Sequence, residues 1–232
     1  MQELVEVATN HVINQIITHK ILPGSTIFET TIAESLAISR TPVRQALNAI
    51  VSMGILEHEK GKRGYLLPSL NSRDMEQVFQ TRKAVESQAV AEAARNTSLD
   101  TAKIGAIETL IAEERVCIKE KNRLKYAIVN GRIHAGLVEL SENVYLQRAF
   151  TPVFWRASLY DFYFSDFYSE EPLIPIEYYY KDPDEHTRIL QAICAADTEF
   201  ARVGMEMHIT STLAMYKKVY RELEQRKEGV EQ

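Results

Sequence analysis

The 232-residue chain is poor in the features that mark catalysis, secretion or membrane residence. Its two cysteines, Cys117 and Cys194, lie 77 positions apart. They build neither a disulfide framework nor a zinc knuckle, and they place the chain in a reducing cytoplasm. No apolar run approaches the roughly 18 residues that a membrane span requires. The start, Met1-Gln2-Glu3, is acidic where a secretory signal peptide would be basic. His-Glu-x-x-His, a serine or cysteine nucleophile setting and a glycine-rich phosphate loop are all missing. Repeats and low-complexity tracts are missing too. A hydrophobic fraction of 45% and a charged fraction of 25% exclude a disordered or fibrous chain. What remains is a soluble globular protein, long enough for two domains.

The net charge of −5 argues against a general nucleic-acid binder, but the charge is unevenly spread. Residues 1–68 carry six basic and six acidic side chains. Within them, residues 36–68 hold Arg40, Arg44, Lys60, Lys62 and Arg63 against only Glu57 and Glu59. A basic face on a neutral unit, tied to an acidic remainder, suits a protein that must bind DNA and release it.

Apolar residues at Leu4, Val5, Ala8, Val12, Ile16 and Ile17 predict a helix over 2–19, stopped by Pro23-Gly24. A second helix is expected over 31–36. Thr41-Pro42 reads as an N-cap followed by proline at the first helical position, opening a third helix that ends at Gly54. Two short helices joined by a tight turn form a helix-turn-helix. The runs 55–59 and 65–67 flank Lys60-Gly61-Lys62-Arg63-Gly64 and predict a hairpin with a basic tip, a wing. Residues 69–72 are linker-like. From 73 to 228 six helices are expected (near 73–95, 99–119 capped by Ser98, 123–141, 144–164, 184–196 and 198–226), with an irregular connection over 165–182. The fold class is therefore mostly α: an N-terminal winged helix-turn-helix over 1–68 and a C-terminal antiparallel helical bundle.

The stretch Ser39-Arg40-Thr41-Pro42-Val43-Arg44-Gln45-Ala46-Leu47, with the Met53-Gly54-Ile55-Leu56 exit, resembles the winged-helix domain of the GntR superfamily of bacterial transcription regulators. The resemblance implies that Ser39, Arg40, Thr41, Pro42 and Arg44 face DNA, joined by Lys60, Gly61 and Lys62 at the wing tip. Chemistry agrees. Arginine forks four residues apart can bond a guanine edge or clamp a phosphate, and hydroxyls beside a helix N-terminus suit phosphate oxygens. Thr30 departs from the family pattern, which often has arginine there.

Three histidines stand out further on: His134, four residues after Asn130; His186; and His208. Imidazoles from three helices can converge on a divalent metal inside a bundle. Residues 73–225 look like the ligand-binding domain of the FadR subfamily. That resemblance implies a site made by an Asp-x-x-x-His pair and two later histidines, here Asn130, His134, His186 and His208, for a Zn, Ni or Mn type of ion. Asn130 replaces the aspartate and offers a weaker, neutral oxygen. Arg82 matches a common arginine of this domain and is expected either to hold an effector carboxylate or to pair with Glu86 at i+4. The aromatic run from Phe154 to Tyr168 reads as core or dimer surface.

The sequence thus predicts a homodimeric, ligand-responsive DNA-binding regulator, a repressor by family habit. It would bind operator DNA and a small carboxylate, with no membrane and no enzymatic activity. The competing readings are a metal-dependent hydrolase using His134, His186 and His208 with Glu185 or Glu206 as base, and a protein-binding scaffold.

Overall fold

The structure is a computed structural model that describes residues 2–59, 61–165 and 184–230. Its elements are α1 (Gln2–Ile17), β1 (Thr26–Ile27), α2 (Glu29–Leu36), α3 (Arg40–Ser52), β2 (Tyr65–Leu66), α4 (Ser72–Arg95), α5 (Thr101–Glu120), α6 (Arg123–Glu139), α7 (Val144–Phe164), α8 (Glu185–Cys194) and α9 (Thr198–Val230). Residues 166–182 of the expected irregular connection, and Lys60 at the wing tip, lie outside the described residues.

The first three helices bury a common set of side chains. Ala8, Val12, Ile13, Ile16 and Ile17 of α1 and Val43, Ala46, Leu47 and Ile50 of α3 recur at helical spacing on facing sides. The recognition helix starts two residues earlier than Thr41-Pro42 predicts: Ser39 takes the extended N-cap position and α3 opens at Arg40. Pro42 still falls within the first turn, where its missing N–H has no helical partner to lose. Gly54 follows the C-cap at φ +78°, the left-handed position that glycine tolerates best.

The wing departs from a simple hairpin. Tyr65–Leu66 pairs antiparallel with Thr26–Ile27, a strand that the sequence reading missed, and Glu57 joins Leu66 as a single bridge. Two residues carry no period-2 signal, so β1 exists only through its partner.

Among the described residues the C-terminal part contains six helices, as expected. The starts of four of them are fixed by side chains accepting from the first turn: Asn71 from Asp74, Asp100 from Ala102 and Lys103, Asn122 from Lys125, and Asn143 from Tyr145 and Leu146. Asp100, not Ser98, caps α5, because only Asp100 lies directly before the turn with orphaned N–H groups. Helix α4 packs along α9 and α7 and also meets α6 and α8, and these five surround the interior that carries the polar site. No described helix is long and apolar enough to cross a membrane.

The head rests directly on α7. Pro152, inside α7, lies over Gly54 so closely that a Cβ there would stand 2.5 Å from the Pro152 carbonyl oxygen. The ring N–H of His19 donates to the Phe162 carbonyl at 2.6 Å, and Tyr163 donates to the carbonyl of Ile21. At the linker, the Tyr160 hydroxyl meets Asp74 at 2.6 Å and Arg156 meets Asp74 at 3.0 Å.

Candidate DNA-reading face and histidine centre

Helix α3 shows its polar side to solvent beside the wing. Arg40 and Arg44 have side chains 60% and 55% exposed, and both reach Glu29 at the start of α2. The Arg44 fork is bidentate, Nε at 2.7 Å and Nη2 at 2.9 Å from the two carboxylate oxygens, and Arg40 adds a bond of 3.0 Å. These bonds, Arg44's first, hold the Glu29 carboxyl down at about 2. The carboxylate therefore stays charged, and the forks stay ordered, throughout the range in which the protein would meet DNA.

These residues line a cleft of about 870 Å³ together with Asn48, His58, Lys62, Arg63 and Tyr65, between the recognition helix and the wing. Ser39 and Thr41 are exposed at the same end of α3, and Gly61 is exposed at the wing with φ +89°. Pro42 is buried. Its position, four residues before Ala46, puts it on the buried face of α3 with Val43, Ala46, Leu47 and Ile50, away from its exposed neighbours. Glu29, Asn48 and Tyr65, whose hydroxyl donates to Asn48 at 3.0 Å, were not foreseen as members of this cleft.

In the bundle, α6, α8 and α9 bring His134, His186 and His208 together. One ring nitrogen from each lies within 4.8 Å of the others, and all three residues are buried. Behind each ring stands a carboxylate at Nδ1: Glu86 on His134 at 2.5 Å, Glu114 on His186 at 2.9 Å and Glu185 on His208 at 2.6 Å. A carboxylate can only accept, so each Nδ1 carries the proton and each Nε2 turns a lone pair inward. His134 Nε2 and His186 Nε2 face each other at 3.2 Å. Two such lone pairs repel unless a proton or a cation lies between them.

The donor set fits a divalent ion. Carboxylate-backed imidazoles are the usual support of a metal-ligating histidine. Two nitrogens bound tetrahedrally at roughly 2.0–2.1 Å stand about 3.3 Å apart, close to the spacing found here. Burial first, against the pull of Glu185, pushes His208 down to about 4, so its ring is neutral and able to ligate at neutral pH. Asn130 lines the same cavity as His134 and His208, together with Arg82.

Arg82 makes the pair with Glu86 that its spacing predicts. Its Nε pairs with Glu86 at 2.5 Å and its Nη2 lies 3.3 Å from both ring nitrogens of His134, while its guanidinium covers Phe154 at 4.6 Å. Burial pushes the Glu86 carboxyl up, against the opposing charge of Arg82. Protonating Glu86 would strand a buried guanidinium, so the pair is ionised at neutral pH.

Comparison with known proteins follows the same division. The bacterial regulatory proteins, gntR family, match residues 4–66, and the FCD domain matches residues 77–211, more than half of the chain. The chain is a GntR-family regulator with an FCD domain. Bacillus subtilis YdhC, an HTH-type transcriptional regulator, is 27% identical over 126 residues, 54% of this chain and 55% of YdhC, so that match spans about half the length of the relative. A D-xylose utilization operon transcriptional repressor of Paenarthrobacter nicotinovorans is 25% identical over 82% of this chain and 78% of its own. The solved structure of E. coli McbR/YncC superposes with a TM-score of 0.72 at 21% identity, covering 94% of this chain and 98% of that one. A GntR regulator from Rhodococcus sp. RHA1 gives 0.65 at 19%, covering 94% and 99%. At these identities the structural likenesses show the fold.

The GntR regulator is a transcription factor rather than an enzyme, and nothing in its relatives supports the hydrolase reading. Two carboxylates of the histidine centre escaped the sequence reading: Glu114 altogether, and Glu86 except as a partner for Arg82. Glu114 comes from α5, about 70 residues from the histidine it supports, and no spacing rule links the two.

Proposed function

We propose that the protein is a cytoplasmic, homodimeric repressor whose grip on operator DNA is set by a divalent metal ion and a small carboxylate effector in the FCD domain. The observation that carries this reading is the trio of buried histidines, each backed by its own carboxylate. In it, residues 1–68 form the DNA-binding domain, 69–72 the linker and 73–228 the effector-binding and dimerisation domain. When bound, the metal supplies a fixed positive charge and coordination sites open to a ligand oxygen. His134, His186 and His208 would hold it through Nε2, with the Asn130 amide nearby in place of the family's carboxylate. Arg82 would orient the effector's carboxylate.

On DNA, the Arg40 and Arg44 forks would leave Glu29 for base edges or phosphates in the major groove. Ser39 and Thr41 would bond phosphate oxygens, and Gly61, Lys62 and Lys60 would approach the neighbouring backbone or minor groove. Two heads related by a two-fold axis would read a near-palindromic site.

Helix α7 supports the coupling. Phe154 packs on Arg82 and Ser158 and Asp161 line the polar cavity, while Pro152, Phe162 and Tyr163 of the same helix touch the head. A ligand that prefers one placement of α7 can shift the head by at most the free energy of that preference.

The test is the metal content of purified protein, followed by its melting temperature with and without chelator. The reading requires a bound divalent ion and a midpoint that falls on chelation in wild type and not in His134→Ala. Metal-free protein that is indifferent to chelator and to added Zn, Ni and Mn ions would remove the metal from the account.

A further inference from the structure

Between the head and the bundle lies a second crevice, of about 780 Å³, with the wing and the exit of α3 on one side and Pro152 and Arg156 of α7 on the other. That is the size of an ordinary small-molecule site. It shares no lining residue with the histidine cavity. Val51, Leu56, Leu66 and Pro152 give it apolar surface.

Arg156 is the group left over there. Its Nε, at 3.1 Å, and its Nη2, at 3.0 Å, both donate to one oxygen of Asp74, and that oxygen also accepts from the Tyr160 hydroxyl at 2.6 Å. Nη1 is buried and has no hydrogen-bond partner among the described residues. A buried donor without an acceptor is costly, and an oxyanion is the acceptor that a guanidinium bonds most strongly. The Arg156 side chain is 16% exposed and lines the crevice, so Nη1 is one side-chain adjustment away from an incoming oxygen. On the wing, Arg63 is exposed and makes no hydrogen bond or ion pair among the described residues. The wing also carries Glu57 and Glu59 into the crevice, and only Glu59 is neutralised, by Lys62 at 2.6 Å. Carboxylates on the wall repel a polyanion, so the crevice suits one negative charge and not a run of phosphates.

We propose that this crevice is a ligand site separate from the histidine centre. It takes an organic monoanion, an apolar body carrying one carboxylate, which meets Arg156 Nη1 while the Arg63 side chain folds over it from the wing. His58, Lys62, Arg63 and Gly64 line this crevice and the DNA-reading cleft alike, so the wing is the partition between the two. An Arg63 drawn to a ligand on the bundle side is withdrawn from DNA on the other. Ligand and DNA thus compete for one side chain, and by linkage each weakens the other.

The experiment uses the full-length, metal-loaded protein at constant ionic strength and isothermal titration with benzoate, 3-phenylpropanoate and hexanoate. Their neutral amides and the dianion phthalate serve as matched probes. At least one monocarboxylate must bind tenfold or more tightly than its amide, and benzoate more tightly than phthalate. That binding must fall at least tenfold in Arg156→Met and stay unchanged in His134→Ala. If Arg156→Met does not fold, Arg63→Ala, on the exposed wing, carries the same test. In anisotropy titrations with the DNA that the protein selects from a random pool, the bound carboxylate must flatten the plot of log affinity against log salt by about 0.9 in wild type and not in Arg63→Ala. Carboxylates that bind no better than amides at millimolar concentration, or that bind both arginine variants as well as wild type, would overturn the site. Binding lost in His134→Ala would assign the carboxylate to the histidine cavity and overturn it too. An unchanged salt slope would overturn the competition with DNA.

Discussion

Replacing Glu86 by glutamine tests the most heavily buried part of the site. Glu86 is fully buried, and its two oxygens serve Arg82 and His134, each at 2.5 Å. Glu86→Gln keeps the shape but removes the charge, leaving a guanidinium whose side chain is only 8% exposed without its close counter-ion. Breaking a buried pair from one side costs about 3–5 kcal/mol. For a chain of this length each kcal/mol moves the midpoint by about 2–4 °C, so metal-stripped Glu86→Gln is expected to melt about 6–20 °C below wild type. Stripping matters, because bound metal would add its own stabilisation. The double variant Arg82→Met/Glu86→Leu removes both charges and is expected to recover most of the loss. In the metal-loaded protein, the lost support of His134 should weaken metal affinity about 10- to 100-fold. The measurements are urea and thermal unfolding with competitive metal titration. A Glu86→Gln midpoint within 2 °C of wild type would show that Glu86 is already neutral in the native state, and the reasoning from an ionised pair would fail.

Arg44→Ala should cost about 1–3 kcal/mol of operator binding, roughly 5- to 150-fold, and relax the preference at one base position. Arg63→Ala should weaken all sequences alike and flatten the plot of log affinity against log salt by about 0.9; anisotropy titrations over a salt series separate the two. His208 titrates at about 4 in the fold against an ordinary value of 6.5, so between those values the unfolded chain takes up a proton that the fold does not. Its stability contribution is whole above pH 6.5 and is lost as pH falls through 4. In metal-stripped protein the amount is about 3–4 kcal/mol at 1.4 kcal/mol per unit, and a pH series of urea melts should lose that slope in His208→Gln. Gly54→Ala meets the Pro152 carbonyl at 2.5 Å from a left-handed backbone, so neither side can yield cheaply. Beyond roughly 1–2 kcal/mol of backbone strain, it should loosen the head from α7 and speed proteolysis at the linker; unchanged cleavage would place the head–bundle contact elsewhere.

The helices were legible because buried residues such as Val43, Ala46, Leu47 and Ile50 repeat with the helical period, and because Gly54 sits where a C-terminal left-handed residue is needed. The strand Thr26–Ile27 was not, since two residues show no alternation and the pairing with Tyr65–Leu66 is a tertiary event. Pro42 was legible as helix-start chemistry, but burial separates it from the exposed Ser39, Arg40, Thr41 and Arg44. His134, His186 and His208 could be named from the resemblance; of the carboxylates behind them only Glu185 was marked, as a base in the hydrolase reading. Glu86 and Glu114 reach the histidines across the bundle interior, and a pairing between helices leaves no local pattern. Glu29 was missed for a different reason: an acid beside arginines expected to face DNA runs against charge counting, and only its position shows that it holds their forks.

The most direct test of the account is the affinity of the full-length protein for the DNA it selects from a random pool, measured by anisotropy in metal-replete and chelated buffer. Wild type should differ at least tenfold between the two, and His134→Ala should bind equally in both. Equal affinity in wild type, with an intact fold and no stoichiometric metal, would contradict a metal-set grip on DNA.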